Sequence, residues 1–190
     1  MKKLNLLFAL LLTASVGFAQ TTWTIDKAHS QLGFSITHLM VSDVEGKFKN
    51  FDAKIVSSKD DLTDAMIDLT AEVPSISTEN DQRDKHLQSP DYFDAAKFPT
   101  FTFKSKSFKK MDEKHYKLTG DLTLHGVTKT VELDVKFNGT AVHPQSKKTI
   151  AGFKITGTIK RSDFGIGTGT PSTILSEEVT IDANAEFVKG

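Results

Sequence analysis

The chain has 190 residues, no cysteine, and 24 basic against 24 acidic side chains. That excludes a disulfide framework and thiolate chemistry, and it gives none of the basic excess that a nucleic-acid face requires. Fourteen phenylalanines stand against one tryptophan and two tyrosines, so a disulfide-free domain of this composition must be held by a core of phenylalanine and β-branched residues. The charges are interspersed along the chain, as on a solvated outer face.

At the N-terminus, Lys2 and Lys3 precede the apolar run from Leu4 to Leu12, and Gly17 and Ala19 supply the small residues before a cut. This is the build of a secretory signal peptide over residues 1–19, cleaved before Gln20. The apolar run is shorter than the ~20 residues a bilayer span needs, and no cysteine is present at the cut to carry a lipid anchor. The expectation is a periplasmic or secreted protein with no transmembrane anchor after cleavage. Residues 20–190 then form one domain of about 170 residues. Losing Lys2 and Lys3 makes it slightly acidic.

Beyond the cut, apolar and polar residues alternate with the period of a half-buried strand. Leu32, Phe34, Ile36 and His38 share one face of a first strand. Val44, Gly46 and Phe48 begin a second, whose apolar phase shifts to Phe51, Ala53 and Ile55, so a bulge or bend is expected near Lys49 and Asn50. Ala65, Ile67, Leu69, Ala71 and Val73 form a third. The pattern then breaks between Pro74 and Pro99. Thr78 reads as a helix cap with acidic residues in the first turn, and a short helix runs from Gln82 to Gln88 until Ser89-Pro90 ends it.

Phe101 and Phe103 mark a fourth strand, and Tyr116, Leu118, Gly120, Leu122 and Leu124 a fifth. Val131, Leu133, Val135 and Phe137 make a sixth, then Ala151, Phe153, Ile155, Gly157 and Ile159 a seventh. Val179, Ile181, Ala183, Ala185 and Phe187 make an eighth. Met111 to Lys114 joins the fourth and fifth strands, His125-Gly126 the fifth and sixth, and Asn138 to Lys148 the sixth and seventh.

Eight half-buried strands with short connections give an all-β antiparallel barrel or sandwich. An eight-stranded barrel is either filled by side chains or holds one small ligand. The inward faces carry small residues, namely Gly46, Ala53, Ala65, Ala71, Gly120, Ala151, Gly157, Ala183 and Ala185, which leave room. The walls around that room are Leu32, Phe34, Ile36, Phe48, Ile67, Leu69, Phe101, Phe103, Leu118, Leu122, Leu133, Val135, Phe153, Ile155 and Ile181. An apolar lumen of this kind suits a lipid chain, at roughly 0.8 kcal/mol per buried methylene. The alternative is a filled core, with the small residues placed where strands bend, in a stress or interaction protein without a ligand.

Four segments resemble the YceI-like family in order along the chain. The first is Trp23-Thr-Ile-Asp26-Lys-Ala-His29-Ser30 with Phe34, His38 and Val44-Glu-Gly46-Lys-Phe48. The second runs from Arg83-Asp84-Lys-His86-Leu87 through Ser89 and Phe93-Asp94 to Phe98-Pro99-Thr-Phe101. The third is Gly120-Asp-Leu122-Thr-Leu124-His125-Gly126-Val127-Thr-Lys129, and the fourth Arg161-Ser-Asp163-Phe164-Gly165-Ile-Gly167. The resemblance implies an eight-stranded antiparallel lipocalin-like β-barrel, with the short helix in the crossover between the third and fourth strands. It also implies a polyisoprenoid, isoprenoid quinone or fatty-acid derivative in the lumen, and no catalytic activity.

Among candidate site residues, His38 points inward by its parity with Phe34 and Ile36, where it meets a polar ligand head. It is also the one candidate for an enzyme acting on an apolar substrate. Arg83, Asp84 and His86 cluster on the helix. They suit contact with an anionic head group, but the favoured reading is a structural network, with Arg83 paired to Asp84, Asp94 or Asp163. Arg161 with Asp163 is read the same way. His29 near Asp26 and Ser30 lacks a nucleophile elbow and is not read as a triad. No metal-ligand spacing is present, so neither a metal nor a cofactor other than the lipid is expected. The glycines of the Phe164-to-Thr173 stretch fit a rim loop rather than a phosphate cradle. An exposed barrel side or the helix leaves a homodimer open.

Overall fold

In the computed structural model, which describes residues 20–59 and 61–190, the alternating segments become eleven strands of one antiparallel sheet. The expected signal peptide lies outside the described residues. The strands are β1 (Thr21–Ile25), β2 (Gln31–His38), β3 (Ser42–Phe48), β4 (Phe51–Ser57), β5 (Met66–Glu72) and β6 (Ile76–Ser77). One helix, α1 (Asp81–Leu87), precedes β7 (Thr100–Lys110), β8 (His115–Leu124), β9 (Val127–Val142), β10 (Thr149–Lys160) and β11 (Leu175–Lys189). The order β1-β4-β5-β7-β8-β9-β10-β11 closes on itself because β11 pairs with β1.

The remaining strands continue that ring. β11 pairs with β1 along Phe187–Lys189 and with β2 along Leu175–Asn184. Likewise β3 pairs with β2 where β4 pairs with β1, and β6 extends β5 beside β3. The molecule is thus a closed eight-stranded antiparallel barrel in which three neighbouring strands are each broken in two. We call the end carrying β2, β3, β6 and α1 the upper end.

The breaks are patched by hydrogen bonds, as buried backbone groups require. Between β1 and β2, Asp26 N–H donates to the Glu186 carbonyl at 2.7 Å and Glu186 N–H donates to Ser30 Oγ at 2.9 Å. Between β3 and β4, Lys49 N–H donates to the Ser75 carbonyl at 3.1 Å and Asn50 N–H to Ser75 Oγ at 3.0 Å. The bend expected near Lys49 and Asn50 is therefore present. Between β5 and β6 the chain makes a 3-10 turn at Val73–Ser75, where Pro74 has no N–H for a ladder.

Several sequence expectations are corrected. The strand read as first is the second, because β1 alternates over only five residues, around the buried Trp23. The sixth strand does not stop at Phe137. β9 runs on to Val142 past a register shift against β10 at Gly152/Phe153. Asn80, not Thr78, caps α1, its Oδ1 accepting from Arg83 N–H at 3.0 Å.

The inward glycines do not leave empty space. A Cβ at Gly46 would overlap the Phe34 ring, one at Gly120 the Phe103 ring, and one at Gly157 the Leu133 side chain. Phe34 and Gly46 are direct cross-strand partners. At these positions small residues accommodate large neighbours, which is the close packing that interiors require.

The lower end is stopped by the β4–β5 connection. Leu62, 3% exposed, points into the barrel beside Ile55, Ala65 and Phe108. Asp64 anchors this loop, accepting from the Ser57 and Ser58 hydroxyls and, at 3.0 Å, from Ser58 N–H. The two serine hydroxyls hold the Asp64 carboxyl well below the usual carboxylate range. A carboxyl depressed in the folded state stabilises the fold fully above its unfolded pKa of ~3.9, and the contribution fades as pH falls through the folded value. Asp64→Ala should therefore lower the urea midpoint at neutral pH, and the gap from the parent should shrink once the pH drops below about 4. A gap that is constant into strong acid contradicts this account.

Candidate functional site

The upper half of the barrel contains a partly open cavity of about 330 Å³. Alternation on each strand turns its walls inward. β2 supplies Leu32, Phe34, Ile36 and His38, and β3 supplies Val44 and Phe48. Phe101 comes from β7, Leu122 and Leu124 from β8, Ile159 from β10, and Leu175, Val179 and Ile181 from β11. The roof is the segment between β6 and β7, through Thr78, Arg83, His86, Leu87, Tyr92 and Phe93. The loop between β10 and β11 adds Ile166, Thr170 and Ile174.

A second space of about 50 Å³ lies near the lower stopper, lined by Ile55, Leu62, Ala65, Ile67, Phe108, Leu118, Val135, Phe153 and Ile155. Strand register shows what separates the two. On β7, Phe101 faces the upper cavity and Phe108 the lower space. On β9, Val135 faces the lower space, and on β5 so does Ile67. Between these levels stand Leu69, Phe103 and Leu133, which line neither space. Phe103 crosses over Gly120 and Leu133 over Gly157. These side chains form a floor.

The wall residues read from the sequence thus fall into three levels. Leu32, Phe34, Ile36, His38, Phe48, Phe101, Leu122 and Ile181 face the upper cavity. Ile67, Leu118, Val135, Phe153 and Ile155 surround the lower space, and Leu69, Phe103 and Leu133 make the floor. Leu124, Ile159 and Val179 were visible as same-parity neighbours of named residues. Leu87, Tyr92 and Phe93 carry no strand period, and only their place in a crossover hints that they form a roof.

The charged groups at the cavity are engaged with the protein. Arg161 is 3% exposed. Its Nε donates to the Ser176 carbonyl at 3.0 Å, and Nη1 to the Ile166 carbonyl at 3.3 Å and to the Gly167 carbonyl. Nη2 reaches the Thr170 and Leu175 carbonyls at 2.8 and 3.1 Å and Glu177 at 2.9 Å. The guanidinium therefore fastens the glycine-rich loop to the start of β11, and its expected partner Asp163 is replaced by Glu177. Gly165 and Gly167 take left-handed φ values of 69° and 59° in that loop.

On α1, Arg83 donates from Nε to Thr78 Oγ1 and from Nη2 to the Thr78 carbonyl, both at 2.7 Å. Thr78 donates from its hydroxyl to Asp84 at 2.6 Å and from its N–H at 2.8 Å. Arg83 is therefore tied to Thr78, not to Asp84, Asp94 or Asp163. The result is still a network that pins the helix to the end of β6. His86 meets the Tyr92 ring edge-on at 4.9 Å, and the Tyr92 hydroxyl is 3.0 Å from Thr170 Oγ1.

Other histidines have structural partners. His125 donates from Nδ1 to the Phe164 carbonyl at 3.0 Å. Asp26, His29 and Glu186 bring possible ligand atoms within 4.8 Å of one another outside the cavity. Sequence spacing did not reveal this group because Glu186 comes from the last strand. Asp26 accepts from Ala28 N–H at 2.9 Å and pairs with His29 Nδ1 at 3.0 Å, which raises the His29 pKa. These contacts account for Asp26 and His29 through the capped Lys27–His29 turn.

Replacing Arg161 by Met should cost about 3–5 kcal/mol, because several buried acceptors and the Glu177 carboxylate lose their donor. The measurement is the urea or thermal midpoint, and a change below about 1 kcal/mol would contradict the clamp.

Residues 23–187 match the YceI-like domain family. A UPF0312 protein of Staphylococcus aureus is 39% identical over 171 residues, covering 88% of this chain and 97% of its own length. The crystal structure of a Campylobacter jejuni YCEI protein is 39% identical with a TM-score of 0.73, covering 86% of this chain and 95% of that one. A polyisoprenoid binding domain from Saccharophagus degradans shares the fold at 16% identity, with a TM-score of 0.65 over 88% of this chain and 98% of its own.

Proposed function

The chain belongs to the YceI-like family, and from that membership and the upper cavity we propose that it binds one long apolar lipid in the barrel, as a carrier or buffer rather than an enzyme. The ligand class is a polyisoprenoid, an isoprenoid quinone or a fatty-acid derivative. The compartment proposed is the periplasm or the outside of the cell, as the N-terminal segment suggests.

The observation that carries this reading is a cavity of about 330 Å³ walled by hydrocarbon, whose arginines are bonded to protein groups. Small-molecule pockets run from ~300 to ~1,000 Å³, so this one is at the small end. It accepts a folded apolar tail, and a longer chain extends past the rim. Each methylene moved from water into such walls contributes roughly 0.8 kcal/mol. The floor of Leu69, Phe103 and Leu133 limits how deep the tail goes. The polar groups at the roof fit a binding role better than a catalytic one. The Thr78 hydroxyl is engaged by Arg83 and Asp84, and the Thr170 hydroxyl by Tyr92.

Native mass spectrometry of the protein purified from its own host, followed by solvent extraction, tests the proposal. A stoichiometric adduct of polyprenyl, quinone or fatty-acyl mass is expected. Ile181→Trp, which fills the cavity from β11, should stay folded at a cost of about 1–3 kcal/mol and lose the adduct. An apo mass with no uptake when these lipids are offered overturns the reading in favour of an interaction protein without a lipid ligand.

A further inference from the structure

The turn joining β2 to β3 exposes three consecutive apolar side chains. Leu39, Met40 and Val41 are 51, 73 and 83% exposed. Ile174, also exposed, lies beside them, its carbonyl accepting from Leu39 N–H at 2.8 Å. The other large exposed apolar residues among the described ones are separate from one another: Met66 opens β5, Met111 lies between β7 and β8, and Val142 ends β9. Scattered single residues are ordinary on a soluble surface, whereas a contiguous group calls for a partner.

Backbone geometry reinforces the point. Leu39 and Met40 have φ values of 51° and 59°, the left-handed conformation that tight hairpins normally give to Asn and Gly. Neither the turn nor the solvent favours leucine and methionine at these positions, so the hairpin fold alone does not account for them.

The tip is also continuous with the cavity. His38 immediately precedes it and pairs in register with Leu175, and both line the cavity together with Ile174. Around this rim, residues 36–42 and 164–176 contain no Asp, Glu, Lys or Arg, in a chain that is 25% charged. A convex, uncharged apolar tip beside an apolar cavity matches the boundary between head groups and acyl chains of a neutral bilayer. It fits a second protein poorly. Four side chains on a turn are far short of the ~1,600 Å² that a stable protein interface buries, and a convex tip offers no groove.

We propose that the Leu39–Val41 turn with Ile174 docks the upper rim on a lipid surface, so that an apolar chain passes between bilayer and cavity without crossing water. The docking stands on the exposed turn alone, while its purpose in lipid exchange rests on the function proposed above.

The test is sedimentation of the mature protein with neutral phosphatidylcholine vesicles, comparing the parent with the double variant Leu39→Asn/Met40→Gly. That pair suits the turn geometry, so the variant should fold at least as well as the parent. The parent should partition onto vesicles with little dependence on salt, and the variant should lose roughly tenfold or more of that partitioning. Uptake of a polyprenyl lipid offered in detergent should be equal in the two, while transfer of that lipid from donor to acceptor vesicles should slow in the variant. A parent that ignores vesicles, or a variant that binds them equally, overturns docking. So does a parent that sediments as a dimer which the variant dissolves, since the turn would then seat a second copy of the chain. A parent that docks but takes up no lipid from detergent leaves docking intact and removes the lipid-binding reading.

Discussion

Beyond Glu72 the third strand of the barrel can no longer pair with the fourth, and the upper half of the molecule is arranged around that constraint. The last rungs are Glu72 with Thr100 and the Val73 N–H on the Pro99 carbonyl. Pro74 then turns the chain, and β6 pairs only with β3. A closed barrel has no strand edges to protect, but this one opens a slot at that level. The segment from Thr78 to Pro99 lies across it. Thr78, Arg83 and Asp84 tie the helix to β6, and Leu87, Tyr92 and Phe93 face inward. A roof of helix and loop need not fill the space beneath it as a strand ladder would, and the cavity lies under that roof.

Below the slot the barrel is close-packed but for the space of about 50 Å³ beside Leu62. Phe103 over Gly120 and Leu133 over Gly157 fill the middle, and Leu62 stops the lower end. The contrast between halves gives the molecule a direction, with a closed base and an upper cup whose rim segments 36–42 and 164–176 carry no Asp, Glu, Lys or Arg. Arg161 holds that rim together by gathering carbonyls from the glycine-rich loop and the start of β11 around one buried cation. With its donors directed at these acceptors and Glu177, this arginine shapes the cup and is not free to grip an anion.

Much of this was legible in the sequence, for identifiable reasons. Alternation exposes which side chains point inward, so most strands, the bend near Asn50 and the tight His125-Gly126 turn could be read directly. The short β1 could not, because its alternation around Trp23 runs over only five residues. Which inward positions bound a cavity was not legible either. Gly46 reads as space until Phe34 is known to lie opposite it, and complementarity of that kind belongs to pairs of strands. The partners of Arg161 were hidden for a different reason. They are mainly backbone carbonyls, which leave no mark on residue identity. For Arg83 the nearby carboxylates drew attention away from Thr78, whose hydroxyl and carbonyl serve together.

The central claim is that an apolar chain occupies the upper cup and is stopped by the floor. Methyl-resolved NMR of the protein loaded with a polyprenyl lipid tests it most directly. The account predicts intermolecular contacts from the lipid to Ile36, Leu122, Leu124 and Ile181, and none to Ile67, Leu118 or Val135. Contacts at the lower set, or none at the upper one under saturating lipid, would contradict it.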